Sequence, residues 1–129
     1  MKTILPESWP RPKGYANGIL AEGKVLFIAG QIGWNEKEQF ESDDFVAQVE
    51  QALKNIVAVL HAAGGKPEHI ARLTWYVTDK KEYLARLPEI GAVYRGVLGA
   101  VFPTMSLVQV VALVEDRAKV EIEATAVIP

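Results

Sequence analysis

The sequence predicts an α+β domain in which two helices cover one face of a mixed sheet, in the order β-β-α-β-α-β-β. Three observations predict it. Residues 43–63 and 79–98 repeat their apolar side chains at three- and four-residue steps, the period of an amphipathic helix. The stretches around them, at 16–31, 70–78 and 105–128, are short and rich in β-branched and aromatic residues. Glycine and proline punctuate the joints, at Gly64-Gly65 and at Phe102-Pro103.

Each element follows from its residues. Up to about Gly14 the prolines Pro6, Pro10 and Pro12 surround Trp9, remove donors and restrict their predecessors, which predicts an irregular arm. Ala16 to Ala21 and Lys24 to Gln31 read as two strands joined at Glu22-Gly23. The first helix carries Phe45, Val49, Leu53, Ile56 and Leu60 on one stripe, capped by Ser42 or Asp43 and ended by Gly64-Gly65. Ile70 to Thr78 is a third strand, with Ala71, Leu73, Trp75 and Val77 on one face. Asp79 opens the second helix in a capping box with Glu82, and Pro88 should kink it or split it in two. Met105 to Val114 and Ala118 to Ile128 are the last strands, turning at Glu115-Asp116-Arg117.

The fourth of these strands is apolar on both faces, with Leu107, Gln109, Val111 and Leu113 on one side and Val108, Val110, Ala112 and Val114 on the other. Two helices cover one face of the sheet. The other face needs a cover, and a second copy of the chain supplies it most economically, so an obligate homo-oligomer is expected.

Composition bounds the function. At 129 residues, 50% hydrophobic and 23% charged, residues 1–129 form one domain able to bury roughly two-thirds of its unfolded surface. The absence of cysteine excludes disulfides, thiolate zinc sites and thiol nucleophiles. Fourteen basic residues against sixteen acidic ones give no broad positive field, so neither nucleic acid nor an anionic membrane is the expected partner. No signal-like apolar segment opens the chain and no run approaches the ~18 residues of a membrane span, from which a cytoplasmic location is expected.

Conventional catalytic motifs are missing. None of Ser8, Ser42 and Ser106 sits in a nucleophile elbow, His61 and His69 have no ligand-like spacing with carboxylates, and no metal or cofactor site is expected. Two features remain. Val120 to Ala126 alternates, putting Glu121 and Glu123 on one face, either as a solvated surface or with one carboxylate in a cleft where desolvation lets it exchange a proton with water. Ala29-Gly30-Gln31-Ile32-Gly33-Trp34 ends the second strand, where glycine permits a bulge or lets a ligand approach the backbone, and Trp34 forms a wall or packs.

Taken in order with Gly14-Tyr15, the Gln48 to Asn55 helix, Ala62-Ala63-Gly64, Thr78-Asp79 and Phe102-Pro103-Thr104-Met105-Ser106, these features resemble the RidA/YjgF family over nearly the whole length. The resemblance implies a chorismate-mutase-like fold, a homotrimer around a central barrel, and small-molecule sites in clefts between subunits. Active members hydrolyse reactive imines or enamines to ketoacids and ammonia, without a cofactor. Carried over to this chain, the resemblance makes Glu121 the residue that positions water, Gly30 the backbone contact and Tyr15 the aromatic lining; Trp34 and Met105 are the further candidates for contact with the ligand.

One position departs from the pattern. Where the family has Pro-x-Arg-Ser, with an arginine gripping the substrate carboxylate, this chain has Pro103-Thr104-Met105-Ser106. Met105 has neither charge nor donor, and Gly91 and Leu107 also stand where relatives carry more polar residues. The expectation is a divergent imine hydrolase acting on a more apolar or uncharged ligand. The alternatives are a trimer that binds or senses a small metabolite without chemistry and, with less support, the ribonuclease or translation-inhibitor activity reported in the family. Arg72, Arg86 and Arg95 either reach the cleft from another direction or are solvated surface arginines.

Overall fold

The computed structural model describes all residues 1–129. Its elements are β1 (Lys2–Ile4), β2 (Gly18–Leu20), β3 (Lys24–Ile32), α1 (Phe45–Ala62), β4 (Ile70–Val77), α2 (Lys80–Ala85), α3 (Leu87–Leu98), β5 (Thr104–Gln109) and β6 (Val120–Ile128). The main sheet has the order β3-β6-β4-β5, with β4 and β5 parallel and the other pairs antiparallel. The expected α+β architecture is therefore present.

All the helix packing lies on one side. Val49, Leu53, Ile56 and Leu60 of α1 interlock with Leu73, Trp75 and Val77 of β4 and with Val120 and Ile122 of β6 in a single apolar cluster of 18 buried residues. Glu121, Glu123 and Thr125 alternate with the buried residues of β6 and point to the opposite, uncovered face. On β3, Val25 and Phe27 are exposed, Phe27 to 79%. No helix is long and apolar enough to cross a membrane.

Several expected elements are corrected. Gly18–Leu20 does not form a hairpin with β3; it pairs antiparallel with Lys2–Ile4, so the amino-terminal arm contributes a strand. The cause is non-local. Ala16 donates its amide to the Pro103 carbonyl (3.0 Å) and bridges to Thr104, which holds this segment at the β5 edge, across the whole sheet from β3.

The fifth strand ends at Gln109 instead of Val114, because its one neighbour, β4, ends at Val77 opposite Gln109 and the chain there turns into α2. One further bond, from the Val110 amide to the Val77 carbonyl, closes the ladder. Val111 and Val114 are left fully exposed in an irregular return, so the doubly apolar strand does not exist as read. A register shift between Ile70 and Arg72 puts Ile70, and not Ala71, on the buried face of β4.

The helix ends are also revised. Asp44 caps α1, accepting from the Ala47 amide at 3.0 Å, while Ser42 accepts from the Asp44 amide and Asp43 pairs with Arg117. Asp79 caps α2 through the Lys81 amide and not in a box with Glu82. The second helix is split at Arg86, two residues before Pro88, as proline at the start of α3 requires.

Candidate functional site

The closest meeting of functional residues is at the end of β3. A register shift between Ile28 and Gln31 turns Gly30 toward β6, and the side chain of Glu121 lies over its bare backbone. A Cβ built on Gly30 would stand 2.7 Å from Cδ and 2.9 Å from Cγ of Glu121, well inside contact distance. Only glycine leaves room for the carboxylate there.

The strand pattern alone does not separate the two glutamates, since both face the uncovered side. Their partners separate them. Glu123 accepts a hydrogen bond of 2.8 Å from the Tyr76 hydroxyl. This bond, followed by desolvation, holds the Tyr76 phenol above its usual range. Glu121 sits opposite Tyr76 in the ladder yet has no hydrogen-bond or ion-pair partner, so its oxygens are free to accept from water.

The backbone beyond Gly30 is held from the helix side by Asn55 and Gln48, which the sequence reading placed on the first helix without a role at the site. Asn55 donates to the carbonyls of Ile32 (3.1 Å) and Trp34 (2.8 Å), and Gln51 in turn donates to Asn55. Gln48 is the one buried polar side chain. It donates to the carbonyls of Ser42 and Arg117 and accepts from the Lys119 amide at 2.9 Å. Gly33 packs directly on it, since a Cβ there would come within 2.5 Å of Gln48 Cβ. The signal available in the sequence was a pair of amides on the apolar side of a strongly amphipathic helix, where an unpartnered amide is costly.

Trp34 goes elsewhere. Its ring lies 5.9 Å from Phe40, which carries the Arg117 guanidinium at 5.3 Å, and the segment between them closes through a bridge from Trp34 to Phe40. Tyr15 and Met105 are at the opposite edge of the sheet. They line one hollow of about 290 Å³ with Arg72, Asn17 and Ser106. The Met105 side chain also packs against the rim of the core, in register with Leu73.

The candidate residues fall into two separate groups. Glu121 is opposite Tyr76, Met105 is opposite Leu73, and β6 and β5 flank β4 on either side. At strand dimensions this separates them by about 10 Å along the sheet and about 10 Å across it. One protomer therefore does not bring Gly30 and Glu121 together with Tyr15 and Met105 around a small molecule.

The chain is similar to known proteins over nearly its whole length. A 2-iminobutanoate/2-iminopropanoate deaminase of Salmonella typhimurium is 35% identical over 130 residues, covering 98% of this chain and 97% of the relative. A Rid-family protein of unknown function from Yersinia pestis, YyfB, superposes with a TM-score of 0.86 at 32% identity, covering 98% of both chains. Escherichia coli TdcF, solved with bound serine, superposes with a TM-score of 0.70 at 32% identity over the full length of each. The family model described as endoribonuclease L-PSP matches residues 9–128, and with these relatives it establishes that the chain belongs to the RidA/YjgF family.

Proposed function

We propose that this protein is a hydrolase of small imines or enamines that works as a homotrimer, with its sites in the clefts between subunits. The observation that carries the reading is the unpartnered Glu121 carboxylate resting on Gly30. A water held by that carboxylate adds to the carbon of the C=N bond. Glu121 takes one proton of the water and passes it to the nitrogen, giving a carbinolamine, and then carries the hydroxyl proton to the departing nitrogen, so that imine and water become a carbonyl compound and ammonia. The backbone at Gly30 receives the substrate.

Assembly supplies the missing half of the site. The uncovered sheet face, with Phe27 and Val25 exposed, is the surface to be shared between copies, and sharing it lets Tyr15 and Met105 of one subunit approach Gly30 and Glu121 of the next. The identity to an imine deaminase and the serine bound to TdcF support a small amino-acid-like ligand. Met105 at the edge strand alters which ligands fit.

The apolar Met105 favours a second reading, a trimer that binds such a metabolite without turning it over. Cleavage of RNA, the activity in the family model's description, has less support here. The net charge is -2, and His69 already accepts the Lys66 amide within its own turn.

The direct test generates 2-iminopropanoate in place with an amino-acid dehydratase and follows its disappearance with and without the protein. Acceleration that vanishes in Glu121→Gln supports hydrolysis. Binding of 2-oxobutanoate with no acceleration would favour the second reading.

A further inference from the structure

An imino acid carries a carboxylate, and a desolvated carboxylate needs a cation with good geometry. Position 105 offers none. The question is whether any other cation reaches the Tyr15 hollow, and arginine, with its planar fork, is the suitable type.

The chain has five arginines, and the structure commits most of them elsewhere. Arg86 joins Asp44 (2.6 Å) and Glu89 (2.5 Å). Arg117 pairs with Asp43 and lies over Phe40. Arg95 lies along α3 against Gly91. Arg11 lines an adjoining hollow with Tyr15, Asn17 and Phe102 that does not include Met105. Arg72 alone lines the hollow that contains both Tyr15 and Met105.

Arg72 is unpaired, and on the uncovered face it lines a second hollow with Tyr76 and Glu123. It makes no hydrogen bond or ion pair, and its neighbours in the ladders, Thr104 and Thr125, are uncharged. The carboxylate on the same face, Glu123, is opposite Thr74 and already bonded to Tyr76. Thr104 is itself fixed, its hydroxyl donating to the Ala71 carbonyl at 2.7 Å, so the strand edge beside Arg72 is rigid. The side chains of Asn17 and Ser106 in the same hollow make no intramolecular hydrogen bond and are free to bind a second ligand oxygen or the nitrogen.

We propose that Arg72 grips the carboxylate of the substrate from β4, one rung from Met105, so that the ligands are 2-imino acids and not uncharged imines. This rests on the hydrolytic reading above and departs from the expectation of a more apolar or uncharged ligand. The cation stands on β4, on the sheet face opposite the Met105 side chain, which leaves the substrate's own side chain against Tyr15.

The test compares wild type, Arg72→Gln, Arg72→Lys and Arg95→Gln in hydrolysis of 2-iminobutanoate, and in thermal stabilisation by its product, 2-oxobutanoate. Loss of a charge-assisted pair predicts a rise in KM of about tenfold or more in Arg72→Gln, with a smaller change in kcat. Arg72→Lys should recover part of the loss and Arg95→Gln should match wild type. Stabilisation by 2-oxobutanoate should disappear in Arg72→Gln. An Arg72→Gln variant with the KM and the stabilisation of wild type overturns the proposal while leaving the hydrolase standing. If wild type hydrolyses no imine yet gains Arg72-dependent stability from 2-oxobutanoate, hydrolysis fails and the carboxylate site stands. If neither response occurs in wild type, both are overturned.

Discussion

Glu121 occupies the space that a side chain at position 30 would need, so the two residues form one structural unit across the β3–β6 pair. A methyl group at position 30 would overlap the flexible end of Glu121 and not the backbone, and the carboxylate would swing away while the sheet stays intact. Gly30→Ala should therefore lower imine hydrolysis by at least about tenfold while shifting the melting temperature little. Steady-state kinetics beside a thermal melt checks this, and a large melting shift with full activity would contradict it.

Gln48 should matter to stability and not to chemistry. Gln48→Leu strands the Lys119 amide and two carbonyls in the interior, at a cost of about 3 kcal/mol. That corresponds to a drop of about 10 °C in melting temperature, read at fixed protein concentration because assembly contributes to the apparent value. A fall of a degree or two would mean that water replaces these bonds.

The Arg86 cluster gives the molecule an acid-sensitive contact between α1 and α3. The Arg86 hydrogen bonds hold the carboxyl groups of both Asp44 and Glu89 below their ordinary values. A carboxylate with a depressed pKa contributes stability above its unfolded pKa and loses it as the pH falls through the folded one. Arg86→Gln should thus melt below wild type at neutral pH, and the gap should close as the pH drops under about 4. A gap that stays constant down to strong acid would show that the effect is packing and not charge.

How far the sequence leads differs between local and non-local features. The helices were legible because a 3.6-residue period needs no knowledge of the rest of the chain, and Pro88 announced the break between α2 and α3. The mispairing of residues 18–20 and the overlong fifth strand share one cause. A strand's partner and length are set by another strand, here by Thr104 anchoring Ala16 and by β4 ending at Val77. The same holds at the site. Alternation placed Glu121 and Glu123 on one face, but which carboxylate is free depends on Tyr76, forty-seven residues before Glu123 in sequence. From sequence Arg72, like Arg86 and Arg95, is either a cleft residue or a surface arginine, and only the hollow beside Tyr15 and Met105 distinguishes it.

Phe27 offers the sharpest test of assembly. It is 79% exposed on the face that no helix covers, next to Val25 on the same strand and far from the core. Fully burying a phenylalanine is worth about 2–3 kcal/mol, and a closed trimer would gain that at each of its equivalent contacts. Phe27→Asp replaces the gain with the desolvation cost of a charge, while leaving the interior of the protomer untouched. Sedimentation should then show a monomer with a native circular dichroism spectrum. Because each half-site needs its counterpart on another copy, imine hydrolysis should fall with the trimer and reappear at protein concentrations high enough to restore it. A Phe27→Asp monomer with full activity at low concentration would mean that one chain holds a complete site, and the separation of Glu121 from Met105 would then have to be closed by movement within the protomer.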